Sequence, residues 1–345
     1  MPLFTTIAEL RNKLPRLLSN LSDTAVMPNI IKAQRKYLQP VMGSELLSDL
    51  QTKYNARNTT PLTTQYALLL DYAQQPLAAY AIADDLAFIQ AMVTDAGLRT
   101  ISTDKLQAAH KWEYLEIKNT LQDNAIDGIE QLLQFLYSEG IALWTASDEY
   151  KALSDFVIKT GNDFSKQYPL YAPLYTYYAL VPIMRDVEEN YLVSMFGGDL
   201  LTWIKTQTAL EITVPGNGLV DVLKLIKKAV AFLTIKHACE HFSPRFDRNG
   251  FTILDARGGN PDDNSNTGRA EPTAQAIHQK ISVCDRDGQN YLAKSAAFLV
   301  GVANGIYTAD FGDDFTTAFD GSPLKPATDA IPYTNGNERR KLFRF

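Results

Sequence analysis

The chain has 345 residues, enough for a well-buried core and, at roughly 100–200 residues per domain, for two or three domains. With 46% hydrophobic and 21% charged residues it has the balance of a folded protein, which excludes global disorder. A net charge of −6 removes the long-range attraction expected of a protein that coats nucleic acid, and two cysteines, Cys239 and Cys284, are too few for a disulfide scaffold or a thiolate cage. The opening MPLFTTIAELRNKLPRLLSN does not read as a signal peptide, and no run approaches the roughly 18 apolar residues of a membrane span.

From the amino end, TIAELRNKLPRLL places Ile7, Leu10, Leu14, Leu17 and Leu18 at helical spacing, with Pro15 expected to kink or break the helix. A second helix is expected from Pro28, read as a first-turn residue, with Ile30, Ile31, Tyr37, Leu38 and Val41 as its buried stripe. Gly43 permits a turn, and the next helix should begin near Ser44 or Glu45. TTPLTTQYALLL introduces a longer apolar helix, and Trp112–Tyr137 a later one. Between them MVTDAGLRTIS reads as extended or turn.

The pattern then repeats at a separation of 154 residues. VMPNIIKAQRKYLQPVMGSELLSDL aligns without a gap on LVPIMRDVEENYLVSMFGGDLLTWI, pairing Pro28 with Pro182, Tyr37 with Tyr191, Leu38 with Leu192 and Gly43 with Gly197. Leu46 and Leu47 fall on Leu200 and Leu201, and Phe88 on Phe242. RFDRNGFTILD takes the place of the earlier extended segment; its NGFTILD has a hairpin-like pattern. The expected fold is mainly all-α, with internally duplicated helical bundle domains, short β/extended insertions and an extended C-terminal arm. The domains are expected at 1–150 and 151–307, the second carrying an inserted loop at 255–272, with the arm at 308–345.

No catalytic, cofactor-binding or metal residue is assigned. GxGxxG between a strand and a helix, and GxxxxGK[ST], are both missing from the sequence. Of His110, His237, His241 and His278, the pair His237 and His241 shares a helical face beside Glu240, but KHACEHF lacks the order of HExxH, and Cys239 should point elsewhere. Asp84–Asp85, Glu188–Glu189 and Asp313–Asp314 are adjacent acids that diverge on a helix or lie in a loop. Asp262 and Asp263 do not follow the EF-hand spacing, and Cys239, Cys284, Ser194 and Ser265 lack an evident base. The contact surfaces expected instead are the tyrosine-rich 168–178 segment, the 255–272 loop and the Phe343–Phe345 end. The closing RRKLFRF suits either phosphate or an acidic subunit, or simple solvation.

IIKAQRKYLQPVMGSELLSDL (30–50) and YLVSMFGGDLLTWI (191–204) resemble an uncharacterised structural protein family of Bacteroidetes phages and prophages whose members sit among head and neck genes, with similar organisation over about 1–305. Each unit is more distantly similar to the helical head-to-tail connector, or head completion, proteins of tailed phages. That resemblance implies a non-enzymatic virion adaptor forming an oligomeric ring, located in the virion and, during assembly, in the host cytoplasm. Its implied partners are portal and tail-completion proteins or identical subunits, with passive contact to packaged DNA and none to membrane. The alternatives are a soluble helical scaffold or interaction module outside a virion, and an enzyme whose site gathers distant residues around His237 or His241.

Overall fold

The computed structural model describes residues 2–14, 23–94, 97–100, 111–209, 218–242, 244–247, 250–253 and 274–303. In chain order its helices are α1 (Ile7–Lys13), α2 (Asp23–Ala33), α3 (Gln39–Met42), α4 (Ser44–Ala56) and α5 (Thr64–Gln90). Strands β1 (Ala91–Thr94) and β2 (Gly97–Thr100) follow, then α6 (Lys111–Glu139), α7 (Ala142–Thr145) and α8 (Asp148–Ser154). The same order continues through α9 (Gly161–Gln167), α10 (Pro173–Val187), α11 (Val193–Phe196), α12 (Gly198–Ala209) and α13 (Gly218–His241), then β3 (Pro244–Asp247), β4 (Gly250–Ile253) and α14 (Ala274–Ala303). A five-residue π turn joins α2 to α3 (Gln34–Leu38), and another joins α10 to α11 (Glu188–Leu192).

The described residues divide into two compact units, one built on residues up to Ser154 together with Ala172–Tyr175, the other on Asp155–Tyr171 and the residues from Thr176 onward. Local devices recur in them 154 residues apart. Thr6 caps α1 by accepting the Glu9 N–H at 3.4 Å; Thr160 caps α9 by accepting the Asp163 N–H at 3.1 Å. The π turns stand in register, and each is followed by one helical turn that ends on a glycine. Gly43 has φ +78°, ψ 157° and Gly197 φ +80°, ψ 164°, a conformation essentially restricted to glycine. It lets the chain turn sharply and start α4 or α12 at once.

In each unit the core is a long helix pair, α5 with α6 and α13 with α14, packed closely where one helix carries a glycine. A Cβ on Gly128 would lie 3.0 Å from the Pro76 ring, and one on Gly288 2.8 Å from Leu233 Cγ. Leu69, Ala73, Leu77, Leu132 and Leu136 are fully buried in the first unit, as are Ile226, Val230, Leu233, Leu292 and Leu299 in the second. The chain crosses between the long helices of each pair by way of a β-hairpin. Thr94 faces Gly97 in the first hairpin and Asp247 faces Gly250 in the second. In the second unit Phe251 also exchanges backbone hydrogen bonds with Pro169 and Tyr171 at 3.1 and 2.9 Å.

Two expectations are corrected. The fold is all-α in class, and the description with short β/extended insertions does not stand: each hairpin is two strands of four residues, too small to form a layer, and it holds the same place between the long helices of both units. Pro28 does not open a helix, since α2 begins at Asp23 and carries it inside, as α10 carries Pro182. In the tyrosine-rich 168–178 segment Tyr168 and Tyr177 are buried, the Tyr177 hydroxyl donating to the Ile158 carbonyl at 2.6 Å, while Tyr171, Tyr175 and Tyr178 are half-buried. Pro15, the 255–272 loop, the 308–345 arm and its Phe343–Phe345 end lie outside the described residues.

Candidate functional site

The π turns organise the polar chemistry of both units. A π turn places one extra residue in a helical run, which re-aims the side chains it carries. Its first residue is buried and polar in both cases, Gln34 in one and Glu188 in the other. Gln34 Oε1 accepts the Leu3 N–H at 3.0 Å, and the Leu3 carbonyl accepts from Gln74 Nε2 at 2.6 Å, so both backbone polar groups of Leu3 are held. Glu188 Oε1 accepts the Val157 N–H at 2.7 Å, and its other oxygen pairs with Lys205 Nζ at 2.9 Å. Burial pushes the Glu188 carboxyl above its usual range, a rise that the Val157 N–H and Lys205 only partly oppose.

The fourth residue of each π turn is a tyrosine. In the first unit the Tyr37 hydroxyl donates to Asp84 at 3.1 Å; Lys36 bonds the same hydroxyl and pairs with Asp84 at 3.1 Å, while the Tyr37 ring stacks on Tyr80 at 3.6 Å. In the second the Tyr191 hydroxyl lies 3.0 Å from His237 Nε2 and accepts from Lys236 Nζ at 3.3 Å. Lys236 pairs with Asp285 at 3.1 Å, and His237 Nδ1 with Glu240 at 2.9 Å. Burial pushes the Tyr191 hydroxyl up, keeping it protonated at neutral pH. Burial works against the Glu240 charge too, but the His237 bond and the neighbouring Lys236 outweigh it and hold that carboxyl below its ordinary value.

The Glu240–His237–Tyr191 chain has the connectivity of a proton relay, but both imidazole nitrogens are engaged by side chains of the same unit. Binding a metal, or taking a substrate proton, would require displacing one of them. His241 stacks on His237 with ring centroids 6.4 Å apart, and among the described residues no group of three or more His, Cys, Asp or Glu side chains could hold a metal ion. His278 is exposed on α14; His110, Asp262, Asp263, Ser265, Asp313 and Asp314 lie outside the described residues.

The remaining candidates disperse. Asp84 serves Tyr37 and Lys36, whereas burial raises the Asp85 carboxyl despite Asn29 and Lys32 nearby. Glu188 is buried and Glu189 exposed, the divergence adjacency on a helix imposes. Cys239 and Cys284 are free, buried thiols; burial pushes Cys239 up to about 12 and also raises Cys284. Ser194 is half-buried on α11. In the first unit Glu130 is buried and accepts the N–H groups of Leu174 and Tyr175 at 2.8 and 3.0 Å, and burial raises its carboxyl. Sequence reasoning passed over Gln34, Lys36, Lys205, Lys236 and Asp285. The available signal was the alignment of Tyr37 with Tyr191, which marks the node without naming its partners.

A family model described as a family of unknown function (DUF6712) matches residues 38–153. No curated protein and no solved structure matches the chain. Among the described residues, no helix is long and apolar enough to cross a membrane.

Proposed function

We propose that this chain is a helical scaffold, a protein-interaction module that works through its surfaces rather than through a catalytic pocket. The observation that carries this reading is where the buried polar groups end. Gln34, Glu130 and Glu188 each accept backbone N–H groups of their own unit, His237 has both ring nitrogens occupied, and both thiols are buried and raised. Groups spent on holding the fold are unavailable to a substrate.

A second reading, the head-to-tail connector of a phage or prophage virion, is favoured by the recurrence of cap, π turn and positive-φ glycine at 154 residues. One chain then carries two related wedges, so that a ring of given size needs half as many chains. Its partners would be portal and tail-completion proteins or identical subunits. Electron microscopy and native mass measurement of the full chain, alone and with a candidate portal protein, test both readings. Assembly that grows with concentration supports the scaffold, and rings seated on the portal support the connector. A monomer at every concentration that binds no protein overturns both.

A further inference from the structure

The two units differ at the first residue of the π turn and its partner. In the second, Lys205 of α12 reaches the buried Glu188 carboxylate. The positions 154 residues earlier are Gln51 and Gln34, two neutral amides, and here the first unit has an open cleft of about 280 Å³ lined by the apolar Ile31 and Leu47 and by polar residues that include Gln34, Arg35 and Gln51. Arg35 is the one formal charge in the lining, and among the described residues it forms no ion pair. Gln34 is 4% exposed with its Oε1 held by the Leu3 N–H, so the amide N–H₂ is what that side chain has left to offer. The lining thus combines one guanidinium, amide donors, two hydroxyls and two aliphatic side chains with no carboxylate. The volume lies just below the roughly 300–1,000 Å³ of drug-sized ligand sites and suits one inserted side chain.

We propose that this cleft receives the carboxylate of a glutamate or aspartate presented by a partner protein chain. The incoming carboxylate pairs with Arg35 as the bidentate donor, at the place where the second unit pairs two of its own side chains. The inference rests on the interaction reading and specifies the chemistry of one contact.

The test uses a fluorescein-labelled pentaglutamate peptide and the full chain, read by fluorescence anisotropy at low salt. Wild-type protein should bind it in preference to pentaserine. Arg35→Gln should weaken binding at least tenfold, and the double variant Gln34→Glu/Gln51→Lys, which installs the second unit's own pair, should abolish it. Circular dichroism and the urea midpoint check that both variants fold. Unchanged affinity in both folded variants overturns the proposal, and so does free glutamate competing as well as the peptide, since that indicates a small-molecule site. Native mass on the same samples separates the two claims. Normal assembly with peptide binding indifferent to Arg35 removes the cleft alone; peptide binding lost in the variants without any assembly removes the scaffold reading alone.

Discussion

Glu188 is the side chain whose removal reports most directly on how the second unit is held. It accepts the buried Val157 N–H at 2.7 Å and pairs with Lys205, which keeps a quarter of its side chain exposed. In Glu188→Ala a charge-assisted bond worth about 1.5–3 kcal/mol is lost, and a buried N–H is left unsatisfied at about 1–3 kcal/mol. The two figures describe overlapping losses, and Lys205 can turn to solvent or to Asp155 at 4.0 Å, which avoids a stranded charge. The net cost is therefore about 2–4 kcal/mol. Glu188→Gln reproduces the residue at the equivalent place in the first unit, keeps the Val157 bond, and gives up the ion pair together with the burial cost of the charge, so its stability should stay within about 1 kcal/mol of the wild type. For a unit of this size, about 2–4 °C per kcal/mol converts these into a fall in Tm of roughly 5–15 °C for alanine and a change of no more than about 2–4 °C for glutamine. Differential scanning calorimetry with urea titration checks both. If glutamine proves as damaging as alanine, the charge matters and the backbone clamp does not, and the equivalence with Gln34 is refuted.

Gly197→Ala should cost about 1–3 kcal/mol from backbone strain alone, since its Cβ meets open space. Gly43→Ala should cost more in the same urea titration, because its Cβ would also lie 3.1 Å from Glu149 Oε2 and Ser147 Cβ. Gly288→Ala sets overpacking against Leu233, about 1–3 kcal/mol, against a helix-propensity gain of about 1 kcal/mol; a net loss of about 1 kcal/mol is expected, and a gain would show that the helices separate freely. Burial raises the Glu188 and Glu130 carboxyls, so the folded state holds their protons more tightly than the unfolded one. Their contribution is complete below the ordinary carboxylate range, near about 4, and is lost as pH climbs through the raised values; Glu188→Gln should flatten that decline in urea midpoints measured against pH. Iodoacetamide at pH 8 should leave Cys239 and Cys284 unmodified in native protein and label both in urea, as peptide mass spectrometry would show.

Much of the helical architecture was legible because local chemistry decides it. Gly43 ahead of Ser44 announces a stop and a start, and α4 begins at Ser44. Trp112–Tyr137 falls within α6, because an apolar stripe of that length has no other way to be buried. Pro28 misled because a proline favours a first turn but also survives inside a helix when packing compensates. The π turns left no periodic signature, since one extra residue in a run only blurs a 3.6-residue pattern. The clamps were invisible for a different reason. Leu3 with Gln34 and Gln74, or Val157 with Glu188, are pairings across 31 and 71 residues, and nothing in local spacing specifies which amide a buried side chain will meet.

Two units built to one plan pose a hazard during synthesis. A segment such as α1 could dock where α9 belongs, because both present a threonine cap and an apolar face to a long helix of the same design. Elongation at about 5–20 residues per second puts about 8–30 s between equivalent points 154 residues apart. Helical hairpins close within microseconds to milliseconds. The first unit thus finds its own Gln34 and Gln74 long before the ribosome releases the competitors, whereas refolding from denaturant presents both sets at once. Vectorial synthesis supplies the discrimination that the duplicated pattern lacks.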